Sequence, residues 1–142
     1  MYDFEATHDT TAKPEDVWAI NTDVPAWVRW HGALEAISFA GPFASGSGGT
    51  ATVQVGLSAG VEFRLEQVEP MKRFEVMWTV GPLLHTRMTH SIAAIPSGTR
   101  ITHAYHTGGV MAPFNFLQAG VSRDRVHATM ERIASLAEAR PT

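Results

Sequence analysis

A chain of 142 residues, 44% hydrophobic, has the length and apolar content of one compact domain with a single sizeable core. Its formal charge of -3 and pI near 6.1 leave no basic footprint, which argues against nucleic acid or an anionic membrane surface as the principal partner. Cysteine is absent, which removes disulfides, thiolate nucleophiles and cysteine-based zinc sites; the polar N-terminus and the lack of any span-length apolar stretch point to a soluble, cytoplasmic protein without membrane insertion.

The N-terminal "MYDFEATHDT" sets Tyr2, Phe4 and Ala6 against Asp3, Glu5 and Thr7, the two-residue period of a half-buried strand. The period changes in "KPEDVWAI". Pro14 suits a first helical position, Glu15 and Asp16 complement the positive end of the helix dipole, and Val17, Trp18 and Ile20 supply a buried side. A second short helix is expected at "VPAWVRW", again opened by a proline, Pro25. Neither helix is long enough to stand alone, so both must clamp onto something larger.

From residue 34 to residue 107 the sequence reads as strands and turns: "LEAISF", the glycine-rich "AGPFASGSGG", "TATVQV", the turn "GLSAG", "VEFRLEQV", the turn "EPMK", "RFEVMWTV", the turn "GP", "LLHTRMTHSIAAI", the turn "PSG" and "TRITHAYHT". Six strands joined by short turns make one antiparallel meander. Val61, Phe63 and Leu65 oppose Glu62, Arg64 and Glu66, while Phe74, Val76, Trp78 and Val80 oppose Arg73, Glu75 and Thr79, so one face is apolar and the other wet. The segment at about 112–139 is expected to form the only long helix, with Phe116, Val126, Met130, Ile133 and Ala137 at helical spacing and Leu117 and Leu136 widening the stripe. Such a helix must lie on the apolar face of the sheet. No repeat, low-complexity tract or internal boundary divides the chain, and residues 1–142 are read as one domain.

The hairpin that turns at 95–98 carries the dipeptide Thr-His on both arms. With a tight turn, paired positions sum to 193, which sets Ile92 opposite Ile101, His90 opposite His103 and Met88 opposite Tyr105. The other face then carries Arg87, Thr89, Ser91, Arg100, Thr102 and His106, the solvent side, so both histidines face inward beneath the long helix. A neutral imidazole accepts at one nitrogen and donates at the other, and an unperturbed pKa of about 6.5 lets it move a proton near neutral pH. With Tyr105 two residues along, the wall offers a row suited to gripping or enolising a carbonyl. The same histidines can equally form a structural pair that satisfies its own hydrogen bonds.

The segment "AKPEDVWAINTDVPAWVRWHGALEAISF" resembles a Pro-x-x-Val-Trp helix followed by a Trp-containing stretch. "VEPMKRFEVMW" is similar to a strand-Pro-strand turn, and "GTRITHAYHTGGVMAPFNFL" through "MERIASLAEA" to a Gly-Thr-Arg-x-Thr-His strand and terminal helix. All are features of the START-related, Bet v 1-like helix-grip superfamily in its bacterial polyketide cyclase/dehydrase-like branch, and the resemblance spans nearly the whole chain. It implies an α+β helix-grip fold: a seven-stranded curved antiparallel sheet, in the order β-α-α-β6-α, wrapped on a long C-terminal helix. It further implies a cavity between sheet and helix, which relatives use to bind lipids, sterols or polyketides and cyclase members use to fold and dehydrate a polyketide chain. The residues here that match the inward pattern are Phe63, Leu65, Trp78, Met88, His90, His103 and Tyr105 from the sheet, with Val126 and Met130 from the helix. Such side chains can also simply fill a core.

His85 and His90 have opposite strand parity, as do His103 and His106, so no regular strand presents a chelating pair and no metal is expected. The stretch "GPFASGSGGT" lacks the Lys-Ser/Thr ending of a phosphate loop and lies between strands; it is read as a mobile lid, and no cofactor is expected. Arg123, three residues before Val126, stands near the start of the helix, where it either meets an anionic ligand group at the cavity mouth or reaches out to water. Ser122 has no base placed near it. Two functions stay open: a module that binds a small, largely apolar ligand, lipid or polyketide-like, and a polyketide cyclase/dehydratase using His90, His103 and Tyr105 as acid and base. Cyclase relatives often carry an arginine and several hydroxyl groups in the pocket, and the inward set here holds few, which favours binding. Ligand identity and oligomeric state are not written in the sequence.

Overall fold

A computed structural model describes residues 2–31, 34–55, 57–80, 84–108 and 123–141. Strand β1 (Tyr2–Thr10) leads into helix α1 (Pro14–Thr22), whose first position is the proline and whose first turn holds Glu15 and Asp16. Val17 and Asn21, one turn apart, are its fully buried residues, with Trp18 and Ile20 half-buried beside them. The second short helix is a 3-10 helix, Val24–Arg29, rather than an α-helix. Strands β2 (Leu34–Ala40), β3 (Gly48–Val55), β4 (Leu57–Glu69), β5 (Arg73–Val80), β6 (Leu84–Ile95) and β7 (Gly98–Gly108) follow, and α2 (Arg123–Glu138) comes last. Phe116 and Leu117, expected in the early part of the long helix, and the expected "GP" turn lie outside the described residues.

From β2 to β7 each strand pairs antiparallel with its successor, and β1 closes the set on the outside of β7, giving the order β1-β7-β6-β5-β4-β3-β2. The two-residue connection Pro96-Ser97 sets Ile95 opposite Gly98, so the expected register holds: Ile92 faces Ile101, His90 faces His103 and Met88 faces Tyr105. On the inner face this produces cross-strand rows. One runs Gly49, Phe63, Trp78 and Thr86; the next runs Leu65, Val76, Met88, Tyr105 and Phe4; a third runs Phe74, His90, His103 and Ala6.

Two expected turns are shorter than the composition suggests. Leu57–Gly60, assigned to the turn "GLSAG", is paired strand, with Ala59 opposite Val53 and Gly60 opposite Thr52, because the β3–β4 ladder continues almost to its closing residue. The glycine-rich stretch is likewise not a free lid over its whole length. Gly48 and Gly49 belong to β3, and a Cβ on either would strike a backbone carbonyl, that of Phe63 or of Ser38 respectively. The preceding loop is tied down: Gly46 N–H donates to Leu65 O at 2.7 Å, Leu65 N–H to Ser47 O at 2.7 Å, and Val68 N–H to Ser45 Oγ at 3.0 Å. Over the missing side chain of Gly49, Phe39 and Phe63 from the flanking strands stack 6.0 Å apart, covering the gap from both sides.

Helix α2 buries Val126, Met130, Ile133, Ala134 and Ala137, a stripe at helical spacing. It packs against α1, β1 and β7, at the β1 end of the sheet, where Thr99 Oγ1 donates to Ala12 O at 2.8 Å and fixes the β1–α1 connection. Arg132 reaches from α2 to the carbonyl of Trp30 at the end of the 3-10 helix.

Candidate functional site

The third inner row supplies the most unusual polar feature of the fold. Nδ1 of His90 and Nε2 of His103 share a hydrogen bond at 3.0 Å, with the rings edge to face and 4.2 Å apart. His90 is clamped on its other side by Phe74, stacked at 4.7 Å with only 6° between the planes. Both histidines are buried. Tyr105, one row away, is not hydrogen-bonded into this pair among the described contacts; its ring leans on Phe4 at 6.3 Å. The inward row of three polar groups is thus a bonded pair plus a separate tyrosine.

A third histidine, which strand parity gives no means of finding, joins the site from another element. The 3-10 helix ends with Trp30 N–H and His31 N–H both donating to Trp27 O, which turns Trp30 and His31 toward the sheet. His31 lies 6.1 Å from Trp30 and 5.8 Å from Trp78, and Trp30 in turn meets His90 edge-on at 6.1 Å. Trp27 sits at the centre, within 6.3 Å of Trp30, Phe63, Phe74 and Trp78. The only sequence signal for this cluster was the Trp-His pair closing the second short helix.

Burial sets the electrostatics. It pushes His31 down to about 4 and His103 to about 3, and it holds His90 well below the ordinary imidazole value, with the neighbouring imidazoles adding to the effect. All three rings are therefore neutral near pH 7. Burial also pushes the Tyr105 phenol up, so it stays protonated. Several buried polar atoms have no hydrogen-bond partner among the described residues: Nε1 of Trp30 and Trp78, Nδ1 of His31 and His103, and Oδ1 of Asn21. Trp27 differs, since its Nε1 donates to Asn21 O at 2.8 Å. Among the described residues no group of three or more side chains is placed to hold a metal ion.

Every expected lining residue from the sheet is buried: Phe63, Leu65, Trp78, Met88, His90, His103 and Tyr105, as are Val126 and Met130 on α2. Phe63 and Trp78 touch at 5.2 Å, and both belong to the Trp27 cluster. Leu65 and Met88 flank Val76 in the middle row. Arg123 is the first residue of α2, and its side chain lies outside the described residues. Two open grooves among the described residues lie on the opposite, outer face. One, of about 640 Å³, is bordered by Ser38, Thr50, Thr52, Glu62 and Thr79; the other, of about 400 Å³, by Glu5, Arg87, Thr89 and His106, with Phe4 and Tyr105 at its floor. Neither reaches His90 or His103.

A curved seven-stranded antiparallel sheet carrying an aromatic and imidazole wall on its inner face, with a C-terminal helix packed at one end, is the helix-grip, Bet v 1-like fold. The chain belongs to the polyketide cyclase / dehydrase and lipid transport family, which it matches over residues 1–138. No curated protein matches its sequence. Its fold is similar to that of the di-domain aromatase/cyclase BexL from the BE-7585A biosynthetic pathway, with a TM-score of 0.76 and 18% identity over 99% of this chain. The chain spans about half, 51%, of that protein's length. It is also similar to the Zhui aromatase/cyclase from Streptomyces sp. R1128, with a TM-score of 0.75 and 15% identity over 96% of this chain and 93% of that one. Ara h 8.0201 superposes with a TM-score of 0.72 at 14% identity, covering 98% and 99% of the two chains. At these identities the likeness is one of fold.

Proposed function

We propose that residues 1–142 act as one container for a small, largely apolar ligand, lipid or polyketide-like, held between the inner face of the sheet and the C-terminal helix. The observation that carries this reading is the inner wall itself, in which Phe63, Trp78 and Trp27 are packed beside buried polar atoms that have no hydrogen-bond partner among the described residues. A finished core satisfies its buried donors, whereas a binding wall keeps a few for its guest. Membership of a family described by both polyketide cyclisation and lipid transport supports the same class of ligand. Phe63, Leu65, Trp78, Met88, His90, His103, Tyr105, Arg123, Val126 and Met130 are the proposed lining. Native mass spectrometry of freshly purified protein tests the proposal: a co-purifying apolar molecule at one per chain, lost on denaturation, is expected. Protein that carries none and takes up no apolar probe from solution overturns it.

A second reading, a polyketide cyclase/dehydratase working through His90, His103 and Tyr105, draws support from Nδ1 of His103, a nitrogen of a neutral imidazole that has no partner among the described residues and is able to accept or return a proton. On that reading His103→Gln lowers turnover of a poly-β-ketone substrate by about 100-fold or more, the scale of a lost proton-transfer group. A loss confined to binding favours the container.

A further inference from the structure

We infer that the indole N–H groups of Trp30 and Trp78 are the polar anchor of the ligand site, and that they select a neutral carbonyl oxygen over both a hydrocarbon and a carboxylate. The inference rests on the container reading and specifies which chemistry the container holds. Trp30 and Trp78 are 1% and 8% exposed, yet neither Nε1 has a hydrogen-bond partner among the described residues. Both rings border His31 and Trp27, so the two donors belong to one aromatic cluster. Trp27 in the same cluster is the internal contrast, because its N–H is satisfied by the Asn21 carbonyl at 2.8 Å. An indole can only donate, and a buried donor without an acceptor forfeits its hydration for nothing. A guest with an acceptor oxygen restores that loss, and a hydrocarbon does not.

The charge of the guest follows from what surrounds the cluster. His31, His90 and His103 are held neutral by burial. Every described lysine and arginine side chain is exposed or, for Arg73, half-buried and engaged with Glu69 and Glu75. The described cation at the cluster is Arg132, an exposed side chain of α2 whose Nη1 is engaged with the Trp30 carbonyl at 3.5 Å. A carboxylate placed against the indole N–H groups of Trp30 and Trp78 would therefore be desolvated with no buried countercharge among the described residues, which costs more than a neutral hydrogen bond returns. A ketone oxygen accepts from an indole N–H and carries no charge to desolvate.

Fluorenone, fluorene and fluorene-9-carboxylate are nearly the same size and differ at the one position that matters. Calorimetric titration of the full chain at pH 7.5 is expected to rank fluorenone about 10-fold tighter than fluorene and the carboxylate weakest. Bound fluorenone should show its carbonyl stretching band at lower frequency than in an apolar solvent, as a hydrogen-bonded ketone does. Trp30→Phe and Trp78→Phe should each cut the preference for fluorenone over fluorene about 5- to 10-fold, fluorene binding to the same variant serving as the reference for any change in the wall, and move the band part of the way back. Equal affinity for fluorenone and fluorene, an unshifted carbonyl band in the wild-type complex, or preference for the carboxylate overturns the assignment of the anchor and leaves the container standing. Binding of none of the three overturns the container and the anchor together.

Discussion

Nδ1 of His90 lies 3.0 Å from Nε2 of His103 across the β6–β7 pair, with both rings buried. Two neutral imidazoles joined in this way make one hydrogen bond. If His90 donates, the remaining hydrogen of His103 sits on Nδ1; if His103 donates, its Nδ1 is a bare acceptor. In either tautomer that nitrogen has no described partner. The pair is satisfied at its centre and open at one end, which suits a wall that must be rigid and still offer a polar contact.

Removing both members should therefore cost less than the two single removals added together. His90→Leu leaves His103 with a second unpaired nitrogen, and His103→Leu leaves Nδ1 of His90 without its partner, each at about 1–3 kcal/mol beyond any packing change. The double variant, apolar throughout, should be less destabilised than the sum of the singles by about 0.5–3 kcal/mol. Urea denaturation of the four proteins measures this coupling. Strict additivity would mean that the contact contributes nothing.

The same burial predicts how stability depends on pH. The unfolded chain protonates its histidines near pH 6.5, whereas the folded chain resists until about 4 at His31 and about 3 at His103. Between those limits the unfolded state binds more protons, so stability is complete above about pH 6.5 and is lost as the pH falls. The loss approaches about 1.4 kcal/mol per pH unit for each buried histidine. Melting temperature should fall steadily from pH 6.5 to pH 5, above the range where carboxylates dominate, and His103→Gln should make that slope shallower. A wild-type profile that is flat over this interval would contradict buried, neutral imidazoles.

The register of the histidine hairpin was legible because it depends on local facts alone: a two-residue Pro96-Ser97 turn and the alternation of Met88, His90 and Ile92 against Arg87, Thr89 and Ser91. Pro14 marked its helix for the same reason. The partners of the histidines were not legible. Trp30 and His31 approach from a 3-10 helix some sixty residues earlier, and nothing in a periodicity shows which ring of a distant segment lands on which strand. Strand parity put Tyr105 on the inward face with His103, but parity says nothing of tilt, and β1 draws its ring to Phe4. The glycine-rich stretch misled because composition marks both a loop and a crowded strand, and only the carbonyls of Ser38 and Phe63 distinguish the two.

That crowding separates glycines which look alike in sequence. Gly48→Ala drives a methyl group into the Phe63 carbonyl and Gly49→Ala into that of Ser38, contacts that no side-chain rotation can relieve. Each should cost at least the 1–3 kcal/mol usual for overpacking. Gly60, in the neighbouring strand, has nothing within 4 Å of an added Cβ. Gly60→Ala should be neutral or stabilising by up to about 1 kcal/mol, through loss of freedom in the unfolded chain. Thermal melts of the three variants decide the matter, and similar losses at all three would show that β3 is not pinned between its neighbours.

Met130 tests whether the buried stripe of α2 is core or chamber wall. Its side chain is 0% exposed, between Val126 and Ile133 on the face that α2 turns to α1, β1 and β7. In a solid core, Met130→Ala removes several close contacts and leaves a void that neighbouring helices and strands fill only in part, a cost of about 2–5 kcal/mol. If Met130 instead borders the ligand chamber, much of its surface already faces guest or solvent, and the loss falls below about 1 kcal/mol. Ligand affinity then moves the opposite way: it drops when the residue is wall and holds when it is core. Chemical denaturation and apolar-probe titration on the same variant give both numbers. A large stability loss with unchanged affinity removes Met130 from the proposed lining, and a small loss with weakened binding places the chamber against this turn of the helix.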